Sequence, residues 1–301
     1  MAEVIGPFLS YLQHEKRFSR HTLVSYETDL RQFTDYLRTQ YQMDSPVDAG
    51  HLLIRSWVVQ LMENGLDPRS VNRKITALRS FYRYLVRTGV MPRSPMLKVQ
   101  GPKTRKKLPE YLDEQKMDRL LVERREEDTN GTFEELRDLL VLDFFYRTGV
   151  RLSELIGLKI EDINLFNLTV KVLGKRNKVR QIPITNAFKQ VLEFYLSARR
   201  NFLQEQHTEH VWFFVDNKGN QMTPGFVYRL VRRRIGEVST GKKKSPHVLR
   251  HTFATTMLNH GADINAIKEL LGHSSLAATQ VYTHNSIEKL KEVYQQAFPK
   301  A

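Results

Sequence analysis

The sequence predicts a mainly α protein with a small β-sheet, divided into a helical N-terminal domain and a larger α+β domain. Three observations predict it. The chain has 301 residues, 41% hydrophobic and 27% charged, an ordinary globular composition with length enough for two cores. Apolar residues recur at helical spacing along most of it. One pair of β-like runs, LTVKVL (168–173) and VRQIPI (179–184), flanks the charged segment GKRNK and reads as a hairpin.

In the first domain, Ser19 caps a helix expected over about 20–39, with an apolar stripe at Leu23, Tyr26, Leu30, Phe33 and Leu37. A second helix is expected over about 68–88. Pro68 suits its first turn, Val71, Ile75, Leu78, Tyr82 and Leu85 form its buried face, and Gly89 ends it. Arg69, Arg73, Lys74, Arg79, Arg83 and Arg87 lie along this helix with no acidic residue among them. Solvated helix faces normally mix signs, because opposite charges four apart attract and like charges repel. A face of one sign therefore calls for an external counter-charge, and DNA phosphate is the expectation. Ser70, Asn72 and Ser80 are short enough to reach phosphates or bases beside it.

The segment VQGPKTRKKLPEYL (99–112) breaks the apolar pattern with Gly101, Pro102 and Pro109. The expected division is a helical domain over 1–104, a linker over 105–110 and a second domain over 111–301. In the second, FEELRDLLVLDFFYRTGV (133–150) reads as a buried helix ending at Gly149, and another helix starts at 153–157. The hairpin follows. Helices are then expected near 187–204, 225–236, 246–260, 263–271, 275–283 and 286–296, the last carrying Ile287, Leu290, Val293 and Tyr294.

The net charge of +14 and a pI near 9.8 favour a polyanionic partner, nucleic acid first and an anionic membrane surface second. With no cysteine, disulfides and thiolate metal sites are excluded. The N-terminus turns polar too early for a signal peptide and no run approaches membrane-spanning length, so a cytoplasmic, nucleoid-associated protein is expected.

Chemistry concentrates in a few phrases. SPHVLRH (245–251) sets Pro246 in a first turn, with His247 and Arg250 three apart on one helical face. A helix N-terminus already favours an anion, so the pair makes a phosphate cradle. In TGVRLSEL (148–155), Arg151 falls at a turn, and Glu154 is placed to orient its guanidinium. Lys175 sits at the tip of the hairpin, with Lys178 and Arg180 as expected phosphate contacts. LLGHSS (270–275) supplies His273, and QVYTH (280–284) supplies Tyr282. Each element alone has a plain structural explanation. Together they suit a tyrosine attacking a phosphodiester while cations hold the phosphate. A metal-dependent hydrolase would need clustered carboxylates, which these phrases lack.

The order R…K…H-x-x-R…H…Y, preceded by a basic helical domain and a linker, resembles the tyrosine recombinases, the family of phage integrases and the bacterial Xer proteins. SPHVLRHTFAT, LLGHSS and YTH are similar to the Xer subgroup, and to its C type before its D type. The hairpin departs from the pattern at Arg176, where glycine is common; Lys175 keeps its position. The resemblance implies a SAM-like core-binding domain and an α+β catalytic domain. It also implies catalytic roles for Arg151, Lys175, His247, Arg250, His273 and Tyr282. A phenol with pKa near 10 needs a base and a field of cations to act at neutral pH. Arg151 and Arg250 would grip the non-bridging oxygens. His247 would take the tyrosine proton, His273 would donate to the phosphate, and Lys175 would protonate the departing 5′-oxygen. The implied product is a 3′-phosphotyrosyl link that conserves the energy of the broken bond, so no ATP, cofactor or metal is expected.

Double-stranded DNA is the expected partner, clamped with Arg69, Asn72, Arg73, Lys74, Arg79, Lys178, Arg180, Arg232, Arg233, Lys243 and Lys244 near phosphates. A tetramer on two DNA sites, alone or with a second recombinase, is implied, with residues of about 285–301 docking on a neighbouring subunit and a DNA translocase as activator. Resolution of chromosome dimers at a dif-like site is the leading expectation. A mobile-element integrase or invertase, and a catalytically silent DNA-binding protein, are the alternatives.

Overall fold

The computed structural model describes the chain except residues 1, 105–109, 123–131, 175–177, 273–293, 296 and 299–301. It divides into two compact units, Met1–Lys107 and Leu108–Ala301. Helix is the dominant element, with a single three-stranded sheet among the described residues.

Among its described residues the first unit holds four α-helices, α1 (Ala2–His14), α2 (Arg20–Tyr41), α3 (His51–Glu63) and α4 (Pro68–Arg87). Ser19 caps α2 by accepting from the Thr22 amide, and Asp67 caps α4 by accepting from the Arg69 amide. Both predicted helices are therefore present, with their stripes buried: Leu30, Phe33, Leu37, Val71, Ile75, Leu78, Tyr82 and Leu85. Helices α1 and α3 are additions to the sequence-based expectation. Gly6 and Pro7 lie inside α1 and read as turn residues, yet Ile5, Phe8 and Leu12 bury one face against α2 and α4.

In the second unit, α5 (Glu114–Val122) and α6 (Phe133–Thr148) precede the short α7 (Leu152–Ile156). Thr132 and Glu135 form a reciprocal cap at the start of α6. Nearly every residue from Arg137 to Thr148 is buried, because α8 and α10 pack on different sides of the helix. Its end is forced by Gly149 at φ +58°, a left-handed conformation where a Cβ would also lie 2.4 Å from Phe253.

The sheet is antiparallel in the order β1 (Ile163–Asn164), β2 (Thr169–Leu173), β3 (Val179–Pro183), with Val172 opposite Arg180. The hairpin is as predicted, and β1 is an addition. Then come α8 (Asn186–Glu205), α9 (Pro224–Val238), α10 (Pro246–Asn259) and α11 (Ile264–Leu270). The predicted helices over 275–283 and most of 286–296, with Ile287, Leu290 and Val293, lie outside the described residues.

Most of the segment of about 285–301, expected to dock on a neighbouring subunit, lies outside the described residues. Its described residues Tyr294, Ala297 and Phe298 are buried in the core of their own unit. The Phe298 ring stacks on Phe253 and meets Tyr146 edge-on, with centroids 6.1 and 5.4 Å away. Their apolar character answers to an intramolecular pocket.

Candidate active site

The site is built where several chain ends of the second unit meet: the end of α6, the start of α7, β3, the first turns of α10 and the end of α11. Helix ends leave carbonyls without intrahelical partners, and here those carbonyls hold arginines. Three consecutive residues at the end of α11 accept from three different guanidinium groups. Leu270 O accepts from Arg180 Nε at 2.6 Å, Leu271 O from Arg250 Nη2 at 2.6 Å, and Gly272 O from Arg151 Nη2 at 3.3 Å. Arg250 also donates to Gly149 O, which ties α10 to the end of α6.

Glu154 organises the other side. It is fully packed, with 3% of its side chain exposed. It accepts from Arg180 Nη1 at 3.0 Å and Nη2 at 2.8 Å, from Arg151 Nη1 at 2.7 Å, and from the Arg151 amide at 2.7 Å. Burial would raise the carboxyl, but the hydrogen bonds and charge of Arg180, with those of Arg151, pull it down to about 2. Arg151 thus has a fixed guanidinium that is still one-third exposed. Burial pushes the Arg250 guanidinium down to about 10, and Arg151 beside it adds to the effect. Cations outweigh carboxylates at this point, so an entering anion relieves the repulsion.

His247 lies exposed in the first turn of α10, after Pro246. His251, one turn on, is a residue that the sequence motifs do not mark. Burial lowers its pKa, and neighbouring His247, Arg250 and Lys243 lower it further. Lys175, His273 and Tyr282 lie outside the described residues. The described neighbours of Lys175 and His273 lie at the site: Gly174 packs beside Arg180 and Glu154, and Gly272 beside Arg180. Among the described residues, no three His, Asp or Glu side chains are grouped to hold a metal ion.

Two predicted DNA contacts, Lys74 and Arg180, are corrected by their burial. Lys74 is 6% exposed and donates to Asp29 at 2.8 Å and to Gln32. Arg73 also pairs with Asp29. The counter-charge of this helix is therefore partly internal, supplied by α2. Arg180 is 5% exposed and fully engaged by Glu154 and Leu270, so it does not face solvent. Asn72 donates to Pro102 O at 2.9 Å and fastens the segment that follows the helices. Arg69, Arg73, Arg79, Lys178, Arg232, Arg233 and Lys243 are exposed, and Lys244 is half-buried. Of these, Arg79 donates to Val99 O and Arg233 pairs with Asp138.

Residues 110–289 match the Phage integrase family, and residues 5–89 match its N-terminal SAM-like domain. The chain belongs to the phage integrase family. It is a tyrosine recombinase, an enzyme that cuts and rejoins DNA. Relatives span its whole length. Tyrosine recombinase XerC of Pelobacter propionicus is 39% identical, covering 100% of this chain and 97% of its own. XerC of Chlorobaculum parvum is 37% identical, covering 99% and 94%. XerD of Listeria innocua is 35% identical over the full length of both chains. Among solved structures, the XerH site-specific recombinase in its post-cleavage complex with palindromic difH shares the fold. The TM-score is 0.70 and the identity 22%, over 97% of this recombinase and 84% of that chain. No described helix of the recombinase is long and apolar enough to cross a membrane.

Proposed function

We propose that this recombinase resolves chromosome dimers at a dif-like site, with Tyr282 as nucleophile and Arg151, Lys175, His247, Arg250 and His273 as the groups that activate and hold the phosphate. The observation that carries the reading is the gathering of Arg151 and Arg250 on adjacent carbonyls, Gly272 and Leu271, of the turn that leads into His273. Two fixed guanidinium groups with free N–H donors form a binding place for the non-bridging oxygens of one phosphodiester. They hold it most tightly when attack adds negative charge. His247 takes the phenolic proton, and Lys175 delivers one to the 5′-oxygen as it departs. The scissile phosphate passes to Tyr282, and the free 5′-hydroxyl of a partner strand reverses the step.

The biological role rests on likeness to XerC and XerD along the whole chain. The XerH recombinase, which shares the fold, is bound to difH in its complexes. In this reading the N-terminal 1–104 and the catalytic 111–301 grip one DNA site across the 105–110 linker. Four subunits, of one kind or with a second recombinase, join two such sites, and a DNA translocase activates them. The C-type role is preferred to the D-type role because the XerC relatives are the more similar.

A nicked suicide substrate carrying a dif site tests the chemistry. On a denaturing gel the wild type forms a covalent protein–DNA adduct, and Tyr282→Phe forms none while still binding. An adduct that survives Tyr282→Phe removes Tyr282 from the mechanism. Absence of any adduct from the wild type supports a silent DNA-binding protein.

A further inference from the structure

The first unit repeats an arrangement seen at Glu154. There a buried carboxylate is shared between one buried cation, Arg180, and one partly exposed arginine, Arg151. In α2, Asp29 is completely buried, although it stands in the stripe that Tyr26, Leu30 and Phe33 define. Lys74, with 7% of its side chain exposed, donates to Asp29 Oδ1 at 2.8 Å and also to Gln32. Arg73, with 46% exposed, donates to Asp29 Oδ2. Lys74 and Gln32 already provide the buried carboxylate with a charge and a neighbouring amide. Arg73 adds a second cation, so the cluster carries a net positive charge at the surface.

The guanidinium of Arg73 is only partly used. Nη1 contacts Asp29 and Ser25 O, while Nη2 and Nε have no protein acceptor among the described residues. A guanidinium held by one nitrogen keeps a forked face of donors, the geometry that matches two phosphate oxygens. Arg69 and Arg83 are exposed on the same side of α4, one turn before and about three turns after. They have no ion-pair partner among the described residues. The field along this face therefore attracts a polyanion, and Arg73 is the member of the row whose direction is set from beneath.

We propose that Arg73 forms a preset subsite for one DNA backbone phosphate, with Asp29 as its positioning residue and buried Lys74, itself donating to Gln32, pairing with Asp29 from beneath. The proposal rests on the reading that this unit binds DNA, and it names which side chains order the contact. Asp29 touches no DNA. Its carboxylate holds the guanidinium in its bound direction, so less side-chain freedom is lost when the phosphate arrives.

The test measures binding of the full chain to a dif-site duplex against salt concentration, for wild type, Arg69→Gln, Arg73→Gln, Asp29→Asn and the Asp29→Asn/Arg73→Gln double variant. Arg73→Gln changes an exposed side chain and leaves Asp29 its lysine. We expect about a tenfold loss of affinity, and a salt slope shallower by about 0.9, the value for one phosphate. Asp29→Asn weakens binding several-fold when Arg73 is present and not when residue 73 is glutamine. A purely structural Asp29 would weaken both equally, and that result overturns its positioning role. A duplex series with single uncharged methylphosphonate linkages supplies an arm independent of folding. One linkage should weaken the wild type and leave Arg73→Gln unaffected. If Arg69→Gln lowers affinity and slope while Arg73→Gln changes neither, the DNA-binding reading stands and the Arg73 subsite falls. If neither variant matters, the reading beneath it falls too.

Discussion

Replacing Glu154 with glutamine keeps the side chain's length and removes the negative charge between two guanidinium groups. The carboxylate is 3% exposed and accepts from both Arg180 and Arg151, and Arg180 is too buried to recruit solvent in its place. Holding the carboxyl at about 2 instead of 4.5 corresponds to about 3 kcal/mol, at 1.36 kcal/mol per tenfold change in proton affinity. Loss of one partner from a buried ion pair costs about 3–5 kcal/mol by a separate route. The amide retains some of the hydrogen bonds, so the expected loss of stability at pH 7 is about 2–3 kcal/mol. The folded-state pKa is depressed, so this contribution is complete above about pH 4.5 and is lost as pH falls toward 2. Urea denaturation at pH 7 should separate wild type from Glu154→Gln, and the gap should narrow as the pH drops below 4.5. Strand cleavage should fall about 100-fold, because Arg151 loses the acceptor that sets its direction. Equal stability at pH 7, or a gap that widens in acid, would refute the assignment.

Three further outcomes follow from the geometry. Arg250→Lys cannot bridge Gly149 O and Leu271 O while facing a phosphate; adduct formation should drop about 100- to 1,000-fold, with DNA affinity changed less than tenfold in a gel-shift assay. Gly149→Ala must adopt a left-handed φ and press a methyl against Phe253, so chemical denaturation should show a loss of about 2–4 kcal/mol. Phe298→Ala should destabilise the catalytic unit by about 3–5 kcal/mol in the same assay, with the thermal transition of Met1–Lys107 unchanged.

Much of the fold is legible from local pattern. The stripes of α2 and α4, the stop at Gly149 and the hairpin each depend on residues close in sequence. What stays hidden depends on distant partners. Lys74 and Arg180 look like surface cations until Asp29 and Glu154, 45 and 26 residues away in the chain, are brought against them. The sequence does hold clues to both. Asp29 interrupts an apolar stripe, and a carboxylate there calls for a buried cation. Arg180 shares its strand face with Ile182, and both are buried. In α1, Gly6 and Pro7 speak for a turn, and only contact with α2 and α4 overrides them. At the site, Arg151, Glu154 and Arg250 are visible in the sequence as separate candidates. The common anchor of Arg151, Arg180 and Arg250 on carbonyls 270–272 is main-chain geometry, which side-chain identity does not encode.

The burial of Tyr294, Ala297 and Phe298 in the catalytic core has a consequence for biosynthesis. A ribosome makes the chain from the first unit onward, so Met1–Lys107 can close while the rest is still being translated. The catalytic half cannot. Its aromatic cluster lacks a ring until residue 298 has emerged, roughly 10–40 s after residue 108 at 5–20 residues per second. During that interval Phe253 and Tyr146 await their last neighbour. Stalled nascent chains probed by limited proteolysis should show the first half protected and the second still digestible.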